Sequence, residues 1–96
     1  MILHVTSRAA WLAAQHDGAY RGDTLATEGF IHCCLPRQLD HVLRSYFQGR
    51  TDLVVLEIDE AAVGPEIRWE GEIDRFPHIY GALNTDAVVA VREISE

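Results

Sequence analysis

Alternation of apolar and polar positions opens the chain. Leu3 and Val5 fall on one side and His4 and Thr6 on the other, so residues 2–5 are expected to form a strand. Thr6 or Ser7 can cap a helix over residues 8–16, since either side chain accepts a bond from an unpaired amide of the first turn. Ala9, Leu12, Ala13 and His16 share one face of that helix, with Trp11 and Gln15 beside it, and Asp17-Gly18 ends it. Residues 19–28 have no clear period and read as a loop over a cleft, anchored by Tyr20 and Leu25.

A second strand is expected over residues 30–34, placing Phe30, His32 and Cys34 on one face. Pro36 suits the first position of a helix, because its missing amide would have no partner there. Leu39, Val42, Leu43, Tyr46 and Phe47 then recur at helical spacing up to Gly49. Residues 53–58 are almost all apolar, the pattern of a central strand buried on both faces. Residues 59–63 form a turn or a single helical turn. Residues 67–73 alternate loosely, with Ile67, Trp69, Gly71 and Ile73 opposite Arg68, Glu70 and Glu72, and Pro77 interrupts before His78-Ile79-Tyr80. Residues 88–94 read as a last strand. The order of elements is that of an α+β domain with two helices, one domain over residues 1–96.

Composition narrows the picture. With 48% hydrophobic residues and 24% charged, the chain is globular rather than disordered. No apolar run approaches the ~20 residues of a bilayer span. Met1 leads straight into a strand pattern with no basic leader, which gives a cytoplasmic expectation. The formal net charge is -7, and all eight basic residues are arginine, so no extended nucleic-acid surface is expected. Arg8, Arg21, Arg37 and Arg75 flank the polar stretches and suit contacts to a phosphorylated ligand.

Three stretches carry the candidate chemistry. His4 and Thr6 share a strand face just before a helix N-terminus, where free amides favour a polar ligand; a helix-capping Thr6 and a satisfied core His4 are the plainer account. His32 either orients a ligand or joins Cys34 and His4 or His78 in a metal site, although the spacing matches none of the common zinc patterns. Cys33 and Cys34 are adjacent, so they point to opposite faces, do not bridge each other, and are expected to be reduced. For the same reason His32 is poorly placed to activate Cys33, and inert buried thiols are favoured over a nucleophile. His78 and Tyr80 share a parity, and Glu70 and Glu72 are the nearest acids. His16 and His41 stand on helices without partners and read as structural or surface positions.

These residues resemble a small bacterial family classed only as a domain of unknown function (number nine-fifty-two). The similarity lies in Leu3-His4-Val5-Thr6, Trp11, Tyr20 with Leu25, Glu28-Gly29-Phe30-Ile31-His32-Cys33, Gln38, Glu70 and Phe76-Pro77-His78-Ile79-Tyr80-Gly81, nearly the whole chain. That family has been grouped with the ADP-ribosyltransferase-like fold. The resemblance implies a split pair of small sheets around a cleft for nicotinamide dinucleotide (NAD) or an ADP-ribosyl group. It assigns His4 and Thr6 to the ribose, by a His-x-Thr pattern on the first strand, and His32 to the nicotinamide side. Glu70, His78 and Tyr80 compete for the third position, commonly a Glu, which orients the attacking group. The expected catalytic residues are therefore His32, Glu70, His78 and Tyr80, and the expected ligand-binding residues His4, Thr6, Arg8, Tyr20 and Phe30. The alternatives are a nucleotide-binding module without catalysis and a His/Cys metal protein.

Overall fold

The computed structural model describes residues 1–94, so the last two residues of the expected domain lie outside the described residues. It is an α+β protein whose strands form two three-stranded antiparallel sheets and one two-stranded pair. Strand β1 (Ile2–Ser7) lies beside β4 (Leu53–Ile58), which is flanked on its other edge by β8 (Val88–Glu93). As its apolar run requires, β4 is central. On one face of this sheet Ile2, His4 and Thr6 stand opposite Ile58, Leu56 and Val54. Ile2, Val54, Leu56 and Ile58 join Trp11, Tyr20 and Cys33 in the larger core. On the other face Leu3, Val5, Leu53 and Val55 pack with Cys34 and with Leu39, Val42, Leu43 and Phe47.

Helix α1 (Arg8–Asp17) covers the first face and α3 (Leu39–Tyr46) the second. Ser7, not Thr6, caps α1, its Oγ accepting from the Ala10 amide at 3.1 Å, and Gly18 closes the helix at φ 84°. The buried face of α1 is Ala10, Trp11 and Ala14, one position away from the expected one: Leu12 is 57% exposed and Trp11 7%. Both faces carry alanines, and an indole offers more apolar area than a single leucine, so the helix turns to bury Trp11. Helix α3 stops at Tyr46, short of Gly49, and leaves that tyrosine exposed. A 3-10 turn, Pro36–Gln38, leads into it. The buried Gln38 side chain accepts from the Leu35 amide at 2.8 Å and donates to the Arg75 carbonyl at 2.9 Å.

The expected loop over residues 19–28 contains two short elements. Strand β2 (Ala19–Tyr20) pairs with β7 (Leu83–Asn84), and α2 (Leu25–Glu28) is a single turn, the third helix of the fold. The second three-stranded sheet is β3 (Ile31–His32), β6 (Phe76–Tyr80) and β5 (Glu66–Glu70), with β6 in the middle. Pro77 does not interrupt β6. Its carbonyl accepts from the Cys33 amide, so its missing donor points to the same side, beyond the short pairing with β3. Strand β5 ends at Glu70, before Gly71 (φ 144°), rather than at Ile73, which is fully exposed.

Residues 30–34 do not form one strand. Cys34 leaves the second sheet and pairs with Leu3 through amide–carbonyl bonds of 2.7 and 2.8 Å. That bridge ties the two sheets together. It also turns Cys34 away from Phe30 and His32 and into the core against Leu3 and Val5, which corrects the expected shared face.

Candidate functional site

The floor of the site is a buried relay on β1. His4 Nδ1 lies 2.5 Å from the His32 carbonyl oxygen. A carbonyl only accepts, so Nδ1 carries the ring proton and Nε2 is left as an acceptor. The Tyr20 hydroxyl, 2.6 Å away, donates to it, and the same hydroxyl is hydrogen-bonded to Thr6 Oγ1 at 2.8 Å. Period-two alternation puts His4 and Thr6 on one face, and the β2–β7 pair delivers Tyr20 to them. Burial lowers the His4 pKa to about 4 and pushes the Tyr20 hydroxyl up to about 12. At neutral pH the relay is uncharged. Because Ser7 serves the helix, Thr6 is committed to this relay rather than to a cap.

The wall of the site is one face of the second sheet. Register places His32 directly opposite His78 on one side of β6, and Arg68 opposite His78 on the other. Glu70 faces Phe76, so it sits diagonally from His78. Its Oε1 accepts from His78 Nδ1 at 2.8 Å and from the Tyr80 hydroxyl at 2.6 Å. Those bonds, first from Tyr80 and then from His78, hold the Glu70 carboxyl below the usual carboxylate range, and the carboxylate raises Tyr80 in turn. The Phe30 ring stacks on His78 at 4.2 Å between centroids and 18° between planes. His32 stands edge-on to His78 at 5.1 Å, its Nε2 3.0 Å from Glu28 Oε1. The Arg68 guanidinium lies 4.3 Å over the Tyr80 ring.

His32 joins floor and wall, because its carbonyl anchors His4 while its ring stands beside His78. A cavity of about 1000 Å³ adjoins both, lined by His4, Thr6, Tyr20, Glu28, His32 and His78 and running on past β1 to Val42, Tyr46, Phe47 and Arg50. Phe30, Glu70 and Tyr80 stand behind His78 rather than on the lining. Arg8 is not brought to the cavity; it is ion-paired with Glu93 on the outer surface.

Sequence reasoning gave no role to Glu28 beside His32 or to Arg68 over Tyr80. The spacing of four residues between Glu28 and His32, and the shared parity of Arg68 and Glu70, are the signals that point to them. Both cysteines are free and buried. Burial pushes the Cys33 thiol well up and the Cys34 thiol to about 11, so neither is a thiolate at neutral pH. His4, His32 and Cys34 do not converge, and among the described residues no group of three or more His, Cys, Asp or Glu is placed to hold a metal ion.

Comparison with known proteins matches the fold to solved structures. The crystal structure of protein CC0527 from Caulobacter crescentus is similar at a TM-score of 0.90 and 29% identity, covering 98% of this chain and 85% of that one. The solution NMR structure of the same protein gives a TM-score of 0.83 at 29% identity, covering 98% and 84%. No curated protein matches the chain. Residues 5–91 match the family described as "Protein of unknown function (DUF952)". On that match, which spans both sheets and every residue of the floor and wall except His4, the chain belongs to this family.

Proposed function

We propose that this protein is a small enzyme acting on NAD or an ADP-ribosyl group, built on an ADP-ribosyltransferase-like pair of sheets. One observation carries the reading: the uncharged His4–Tyr20–Thr6 relay and the paired rings of His32 and His78 face one cavity. At about 1000 Å³ the cavity is large enough for a dinucleotide, since pockets for drug-sized ligands run roughly 300–1,000 Å³. Thr6 and Tyr20 supply hydroxyls of the kind that hold a ribose. The half-exposed His32 ring offers a flat surface to a nicotinamide.

Cleavage of the N-glycosidic bond builds positive charge on the ribose, and preorganised negative groups stabilise it. A histidine kept neutral by burial contributes hydrogen bonding without adding an opposing charge. Glu28, bound to His32 on the lining, supplies negative charge at the cavity. The net charge of -7 favours a small ligand over RNA, which needs a wide basic surface.

A second reading is a module that binds the nucleotide without turning it over, and the withdrawal of Glu70 behind His78 favours it. Calorimetric titration with NAD and with ADP-ribose tests both. Saturable binding to the wild type, weakened about tenfold or more in Thr6→Val, supports the nucleotide site. Binding without release of nicotinamide supports the module. No heat with either ligand at millimolar concentration removes both.

A further inference from the structure

We propose that Glu70 and His78 form a proton-transfer dyad in which His78 activates water and Glu70 acts only through His78, so that the reaction is hydrolysis. This rests on the nucleotide reading above and names its acceptor. The Nδ1–H of His78 donates to Glu70 Oε1 at 2.8 Å, which leaves Nε2 as the basic nitrogen. No protein group partners Nε2 among the described residues. Every wholly buried polar side-chain atom described does have a partner, so Nε2 reaches solvent. The side chain is 14% exposed and lines the cavity, so on this proposal the cavity is the route by which water reaches Nε2.

The ring plane is held from three sides. Phe30 stacks on it, His32 meets it edge-on, and Tyr80 fixes the far side of the Glu70 oxygen that orients it. His32 also meets Phe30, at 4.7 Å between centroids, but its Nε2 is taken by Glu28 and its ring is half-exposed. Only 14% of the His78 side chain is exposed, and a water molecule needs no more than that to reach it. Glu70, already bound by two donors, balances the charge of the imidazolium that forms and carries no proton itself.

In the step so described, the water oxygen bonds to C1′ of the nicotinamide-bearing ribose as the C1′–N bond breaks. The bonding pair goes to the ring nitrogen, so nicotinamide leaves neutral and needs no acid. One water proton passes to His78 Nε2 and then to solvent. The products are nicotinamide, ADP-ribose and a proton.

His78 is a catalytic residue on this account and Glu70 a positioning residue. The test combines ring nitrogen NMR of the wild type with steady-state release of nicotinamide and ADP-ribose by the wild type, His78→Gln, Glu70→Gln and Glu70→Asp. The neutral His78 ring should show the Nδ1–H form in the wild type and a mixture of tautomers in Glu70→Gln. His78→Gln should lower kcat by on the order of 10²–10⁴-fold, with KM within about threefold of wild type. Glu70→Gln should lower kcat in the same way but less, and Glu70→Asp should recover part of the loss. An Nε2–H ring in the wild type overturns the dyad with no ligand present. Wild-type kcat in the variants overturns it while leaving the nucleotide reading intact. Binding of NAD without release overturns hydrolysis and favours the binding module, and absence of binding removes the nucleotide reading and this proposal together.

Discussion

At the scale of single residues, His4 is the position where burial and chemistry meet most sharply. Its folded pKa of about 4 lies below the unfolded value of 6.5. The unfolded chain therefore takes up a proton between those values and the folded one does not. The stability contributed by neutral His4 is complete above pH 6.5 and is lost as pH falls toward 4, at no more than about 1.4 kcal/mol per pH unit. Urea unfolding at pH 6.5 and pH 5 should show this slope in the wild type, and His4→Gln should lack it. The window lies above the range where Asp52, Glu70 and Asp74, all lowered, begin to matter. Equal slopes in the two proteins would mean that His4 is not held neutral. The placement of His4 and Thr6 on one face was legible from alternation alone. Their tie to Tyr20 was not, because two adjacent hydroxyls competed for the helix cap and only the fold shows that Ser7 takes it.

At the scale of elements, long apolar patterns were readable and short ones were not. Strand β4 and the Pro36 lead into α3 follow from local sequence. Helix α1 was readable as a helix, but its buried face was not, because alanines on every side leave Trp11 to decide it. Trp11→Ala should therefore cost about 3–5 kcal/mol, whereas Leu12→Gln should stay within about 0.5 kcal/mol of wild type. Thermal and urea unfolding of the two variants measure this directly. The reverse ranking would restore the face expected from spacing. Residues 30–34 show the other kind of miss. Two paired residues cannot hold a strand, and the bridge from Cys34 to Leu3 is a long-range contact with no local signal.

At the scale of the whole molecule, the two sheets, joined at that bridge, place residues from distant parts of the chain around one cavity. The α+β class was legible from the order of patterns; the division into separate sheets was not legible in the residues themselves, since pairing between β3, β6 and β5 leaves no periodic mark. Among the described residues no helix is long and apolar enough to cross a membrane. The candidate site was half legible: parity grouped His78 with Tyr80 and Glu70 with Arg68, but only the strand register sets His32 and Glu70 on either side of His78.

The central claim is that this cavity binds an ADP-ribosyl group. Amide and histidine-ring NMR spectra followed during titration with ADP-ribose test it most directly. The account predicts saturable shifts at Thr6, Tyr20, His32 and His78, with the outer positions Val89 and Val91 of β8 unmoved. Spectra unchanged at millimolar ligand, or shifts centred on β8, would contradict it.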